Sequence, residues 1–267
     1  MIKPKELNYS KKTFMKIVIS PAKSLDYETP VQTKQESKPK YLGQSEVLVN
    51  SLKTLSAEQI GDLMSISPKL ADLNKERFDK WRRRFKPESA RQALFAFKGD
   101  VYVGLDAYTL NENQIDFLQN NLRILSGLYG MLKPLDLMQP YRLEMGTKFG
   151  VEDHKNLYSY WKETLAPALN KEMKKGEVLI NLASNEYFKA VDKKQLKAEI
   201  ITPNFKDRKG DQYKMISFFA KKARGLMVRY IADHNITDPE LLKGFDYDGY
   251  IYNEDLSKGN DWVFTRG

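Results

Sequence analysis

MKIVISPAKSLDYETP, residues 15–30, decides how the chain is to be read. Ile17, Val18 and Ile19 form an apolar, β-branched run that stops at Ser20-Pro21. Proline offers no N–H to a ladder, so it closes a strand, and KIVIS (16–20) reads as a short buried one. The residues behind it are turn formers, and Lys23 and Asp26 fall among them. Ligands of α/β sheets bind just outside the carboxyl ends of strands, so this turn is the first place to expect a site.

Outward from that strand the chain alternates. Residues 31–41 are polar and read as a flexible linker. Helical periodicity runs over 43–55, 57–66, 69–84 and 88–97, and DVYVG (100–104) reads as the next strand. A helix is expected around 113–121. Residues 123–146, dense in Gly and Pro, are expected to be an ordered loop region. An amphipathic helix is expected over 155–174. EVLINLAS (177–184), AEIITPNF (198–205) and YKMISFF (213–219) are strand-like, with helices over 185–197 and 217–232 and two aromatic strands, GYIYN and DWVF, at the end. The fold class that follows is α+β or mixed α/β, a single globular body with a mixed sheet. Residues 43–97 carry no strand signal and are expected to be an inserted helical subdomain. Residues 1–14 are basic, lack the apolar segment of a signal peptide, and are expected to be a poorly ordered extension before one domain over 15–267.

Composition removes several chemistries. With no cysteine there is no thiolate nucleophile, disulfide or Cys-based zinc site, and His154 and His234 are the only histidines. A histidine triad or a two-histidine iron centre is therefore not expected; neither a metal site nor a cofactor is predicted. The net charge of +9 favours a polyanionic partner through phosphate. No apolar run approaches the ~20 residues that cross a bilayer, so no membrane partner is expected, and absent thiols fit the cytoplasm. A monomer is the simplest assembly.

Two groups of residues carry candidate chemistry. The first is Ser65-Ile66-Ser67-Pro68-Lys69-Leu70-Ala71, which resembles the G-I-G-P-K-L-A string of helix-hairpin-helix DNA-binding elements. Such a hairpin turns backbone N–H groups and a helix dipole toward a phosphate, and Lys69 adds a charge-assisted contact. Serines stand where glycines are usual, and Ser67 also fits a plain helix cap with Pro68 at the first helical position. From Lys69 to Lys98 there are ten Lys or Arg and four Asp or Glu, with Arg82, Arg83 and Arg84 set between Trp81 and Phe85. Lys221, Lys222 and Arg224 make a second basic cluster on a helix whose apolar positions Phe218, Leu226 and Tyr230 read as core packing.

The second group lies near predicted strand ends: Lys23, Asp26, Lys98, Asp100, Arg142, Glu144, Asn185, Glu186 and Lys189, with Lys222 shared between it and the basic cluster. Any one is explained by a surface ion pair or a cap. Together they are the inventory of a phosphate or nucleotide pocket, with Asp100 or Glu186 as candidate base, and Lys98 and Lys189 beside them as further candidate catalytic groups.

ISPAKSLDY, AFKGDVYVGL, LSGLYGMLKPLDLMQPYRLEMG, NLASNEYF and ISFFAKKARGLM, in that order, closely resemble the YaaA family of bacterial peroxide stress resistance proteins. The resemblance covers the chain from Met15 onward. It implies a cytoplasmic protein of the hydrogen peroxide response, an association with keeping unincorporated iron low, and DNA binding through the hairpin, here Ser65–Ala71. It implies no catalytic residue. Two functions are therefore expected to compete: sequence-independent DNA binding, and an enzyme acting on a nucleotide, nucleobase or damaged DNA.

Overall fold

The computed structural model describes residues 14–267; apart from Phe14, the extension expected over 1–14 lies outside the described residues. The chain enters through β1 (Met15–Ile19), where Ile17, Val18 and Ile19 are fully buried. A two-residue strand, β2 (Ser24–Leu25), lies in the turn beyond it. Helices α1 (Leu42–Lys53), α2 (Ala57–Met64) and α3 (Pro68–Lys80) follow, then β3 (Arg91–Gln92), α4 (Ala93–Ala96), β4 (Phe97–Lys98), α5 (Asp100–Leu105) and α6 (Glu112–Asn121). The middle of the chain carries β5 (Leu122–Ser126), β6 (Gly130–Leu132), β7 (Leu137–Met138) and α7 (Leu157–Glu172). After these come β8 (Val178–Leu182), α8 (Asn185–Phe188), β9 (Glu199–Lys209), β10 (Gln212–Lys214), α9 (Ser217–Asp233), β11 (Ile251–Lys258) and β12 (Asp261–Arg266).

The fold is mixed α/β around an eight-stranded mixed sheet of order β11-β12-β9-β8-β1-β5-β6, with β10 paired to β9. β1 runs parallel to both β5 and β8, β8 to β9, and β9 to β12; β6, β10 and β11 are antiparallel. The chain leaves β1 for β5 on one side and leaves β8 for β9 on the other. The strand order thus reverses between β1 and β8, and their carboxyl ends open a crevice there.

Five sequence expectations change. DVYVG (100–104) is not a strand: it lies in α5, opened by Gly99, because so short an apolar run carries no decisive period and the contact with α9 settles it. Leu122–Leu132, expected as loop, contains β5 and β6, and every residue of β5 is buried. The helix expected over 185–197 is one turn, and the strand over 213–219 ends at Lys214, before α9 begins. The expected helical subdomain over 43–97 holds the short strand β3 and the first residue of β4, and Leu48, Leu52, Ile60, Phe78 and Trp81 from that stretch belong to the apolar cluster that packs the sheet.

Two close contacts fix the elements around the crevice. α5 crosses α9 through glycines: a Cβ on Gly104 would lie 2.1 Å from the Lys222 carbonyl oxygen, and one on Gly225 1.8 Å from that of Val101. Trp161 of α7, fully buried, donates from Nε1 to the Gly127 carbonyl at 2.9 Å and lies against Gly130, where a Cβ would come within 2.6 Å of the indole ring. Gly130 has φ +69°, so the β5–β6 turn needs glycine twice over, for backbone and for space.

Candidate functional site

The crevice between β1 and β8 is a cavity of about 260 Å³. Its floor is Ser20, the residue just past β1, and Ser184, two residues past β8. The Ser184 backbone N–H donates to Ser20 Oγ at 2.9 Å, and Ser20 Oγ donates to Ser184 Oγ at 3.2 Å. Tyr102 of α5 donates its hydroxyl to the Ser20 carbonyl at 3.1 Å. Tyr102 and Tyr187 line the walls, and burial pushes both phenols well above their usual range.

Four cations and three carboxylates face this floor. Lys23 follows β1, and the β2–β4 pair sets Lys98 opposite Ser24. Asp100 opens α5, while Lys221 and Arg224 come from α9. Glu144 accepts from Lys23 at 2.7 Å and from Arg142 at 3.2 Å. Glu186, in the first turn of α8, is held by the Gly146 N–H at 3.0 Å. Arg224 has no hydrogen-bond or ion-pair partner among the described residues; its burial pulls the guanidinium below its usual range.

The predicted pocket residues divide cleanly. Lys23, Lys98, Asp100, Glu144 and Glu186 share the cavity, with Arg142 behind Glu144, and they are joined there by Lys221 and Arg224, which were expected on a DNA-binding surface instead. Lys222 instead pairs with Asp248 at 3.3 Å, and Lys189 stands over the Tyr158 ring. Asp26 accepts from the backbone of Glu28 and Thr29, which holds its carboxyl well below the usual range. Asn185 begins α8 but does not line the cavity. Ser20, Tyr102, Ser184 and Tyr187 line it without having been singled out as pocket residues; position after a strand was the only signal for the serines. Among the described residues no three carboxylate, histidine or cysteine side chains gather closely enough to hold a metal ion.

The second region is the α2–α3 hairpin. Ser65 caps α2 in the left-handed conformation, φ 52° and ψ 54°, where a glycine is the easier residue. The Ile66 N–H donates to the Gly61 carbonyl at 3.0 Å. Ser67 takes the cap position of α3 and Pro68 its first turn, but the Ser67 side chain makes no capping bond. Ser65, Ser67, Pro68 and Lys69 are all exposed. Substituting Ser65 by glycine should relieve the left-handed strain and stabilise the protein by up to about 1 kcal/mol in denaturant unfolding, whereas alanine should not.

The arginines sit about 20 Å away, at the other end of the 13-residue α3. Arg83 pairs with Glu46 at 3.2 Å, the Arg82 side chain turns back to the Asp79 and Trp81 carbonyls, and Arg84 faces an open groove beside Phe85. Gln139 accepts from the Arg82 N–H at 3.1 Å, and five residues later Glu144 lines the crevice. That stretch of chain spans at most about 18 Å, so arginine strip and crevice are neighbours.

These features define an α/β protein with a cation-rimmed ligand crevice at the point where its strand order reverses. The family model of peroxide stress protein YaaA matches residues 15–256, and the chain belongs to that family. It is similar to UPF0246 proteins of Flavobacterium johnsoniae (58% identity, 94% of this chain and 100% of the relative), Hahella chejuensis (55%, 94% and 99%) and Neisseria gonorrhoeae (53%, 94% and 98%). Membership carries a role in the peroxide stress response. No described helix is long and apolar enough to cross a membrane.

Proposed function

We propose that the chain is a cytoplasmic DNA-binding protein of the peroxide response, which engages duplex phosphates through the α2–α3 hairpin and the arginine strip and so limits oxidative, iron-dependent damage to the DNA it covers. The hairpin carries this reading: Ser65 adopts the left-handed turn although it is not glycine, and α3 begins with an uncommitted Ser67 hydroxyl and an exposed Lys69. A helix start with free donors and a positive dipole end suits a phosphate oxygen. Contacts of this kind position a duplex without reading its bases, so binding is sequence-independent and falls steeply with salt.

Lys69→Glu combined with Arg84→Glu is the test, because both side chains are exposed and neither has an ion-pair partner among the described residues. In fluorescence-anisotropy titrations the pair should weaken duplex binding by about tenfold or more and lower the log–log salt slope by about 2. Unchanged affinity with an unchanged melting temperature would remove the hairpin from the function.

The convergence of five residues expected for a pocket, together with Lys221 and Arg224, on the β1–β8 crevice supports a second activity, directed at a nucleotide, nucleobase or damaged DNA. Arg224 and Lys221 suit a phosphate, while Asp100 and Glu186 are acceptors for base N–H groups or a general base. Binding of a free mononucleotide that is lost in Arg224→Gln would support this reading; calorimetry without heat for either protein would end it.

A further inference from the structure

We propose that the β1–β8 crevice receives a single nucleotide swung out of a DNA strand, and that Phe218 at the start of α9 fills the gap the nucleotide leaves in the stack. The inference rests on the nucleotide reading of the crevice and adds where the nucleotide comes from and what replaces it.

Phe218 is the unexplained residue. Its spacing along α9 suggested a core position, but its side chain is 58% exposed. Its neighbour Phe219 is held under the Arg266 guanidinium, 4.6 Å from the ring, whereas Phe218 touches Phe219 only by an edge-on contact at 5.6 Å. Met215, just before the helix, is exposed as well. Leaving a phenylalanine in water forgoes about 1.5–3 kcal/mol of burial, which its own fold does not recover. Phe218 lies one helical turn before Lys221 and two before Arg224, the two α9 cations of the crevice. Apolar side chains beside cationic clefts are the groups that enter base steps and unstack them.

The crevice supplies the other half. Its volume, about 260 Å³, is just below the roughly 300–1,000 Å³ of ligand pockets, so it has room for no more than a single nucleotide and none for a duplex. A base inside it must therefore have left its stack. Arg224 is half-buried in the wall and has no hydrogen-bond or ion-pair partner among the described residues, which leaves its guanidinium free to take an anion. A phosphate answers Arg224, the buried Tyr102 and Tyr187 offer aromatic walls, and Glu186 and Asp100 offer acceptors to a base edge. Free nucleotides present the same chemistry, so the test has to separate the two sources.

The probe is 2-aminopurine, whose fluorescence is quenched by stacking. It is used as the free deoxynucleoside monophosphate and as one residue of a duplex, placed in a mismatch where extrusion is easiest. At a protein concentration that saturates the duplex by anisotropy, fluorescence from the duplex should rise several-fold. Phe218→Ala should lose most of that rise, and Phe218→Trp should restore it, while both variants bind the free nucleotide as the native protein does. Arg224→Gln should lose both signals. Fluorescence identical to that of the free duplex at saturation overturns the proposal; if the free nucleotide still binds through Arg224, the crevice reading survives and its ligand is a free nucleotide. A full rise in Phe218→Ala overturns the part assigned to Phe218. Failure to bind either probe overturns both readings.

Discussion

Alanine at position 225 should lower the melting temperature of the protein by roughly 6–12 °C, although alanine is the better helix former. Propensity alone predicts the opposite sign, since glycine in a helix interior is about 1 kcal/mol less favourable than alanine. The contact with α5 overrides it. The added methyl would lie 1.8 Å from the Val101 carbonyl oxygen and 2.8 Å from the Leu105 nitrogen, both backbone atoms that no rotamer change can move. The helices must separate, at about 3 kcal/mol, the upper end of overpacking costs, and each kcal/mol is about 2–4 °C for a chain of this size. The separation also carries Lys221 and Arg224 away from Asp100, so nucleotide binding should fall with stability. Calorimetric melting and nucleotide titration check the two effects, and an unchanged or raised midpoint would mean that α9 can slide on α5 freely.

Trp161→Ala should cost about 3–5 kcal/mol, the range for deleting a buried aromatic side chain. Trp161 is fully buried and meets Tyr41 and Tyr160 edge-on. Its loss also leaves the Gly127 carbonyl without the indole N–H. Trp161→Phe separates the two contributions, because it keeps most of the packing and loses only the hydrogen bond, at about 1–3 kcal/mol. Urea unfolding of both variants measures the difference; equal losses would assign the whole effect to the carbonyl.

The strands that read easily did so for local reasons. β1 is β-branched and stopped by proline, and β8 is an apolar run closed by small polar residues. β5 hid because Arg123 sits inside it, and its charge is paired with Glu172 at 2.6 Å, a residue 49 positions away. Gly127 and Gly130 suggested loop; in the fold they make room for Leu143 and Trp161. The crevice was half legible. Lysines, arginines and carboxylates near strand ends announce a polar pocket, but which of them meet depends on β1 lying beside β8, a pairing no local pattern shows. Lys222 and Lys221 are adjacent in sequence, yet one faces Asp248 and the other the cavity. Phe218 misled in the other direction, since aromatic residues at helical spacing usually face a core.

The hydrogen bonds among Ser20, Ser184 and Tyr102 tie three elements together beneath the crevice, with Glu186 fastened to the Gly146 N–H above them. A ligand therefore meets a floor that has already lost its conformational freedom during folding. The rim is different: Lys23 is 61% exposed, and Lys98 and Lys221 are exposed too, so each surrenders rotamer entropy when it closes, about 0.5–1.5 kcal/mol apiece. Selectivity can thus reside in the preorganised floor, while affinity stays adjustable in the three lysines, where a change of side chain alters how much disorder binding must remove without altering what is recognised.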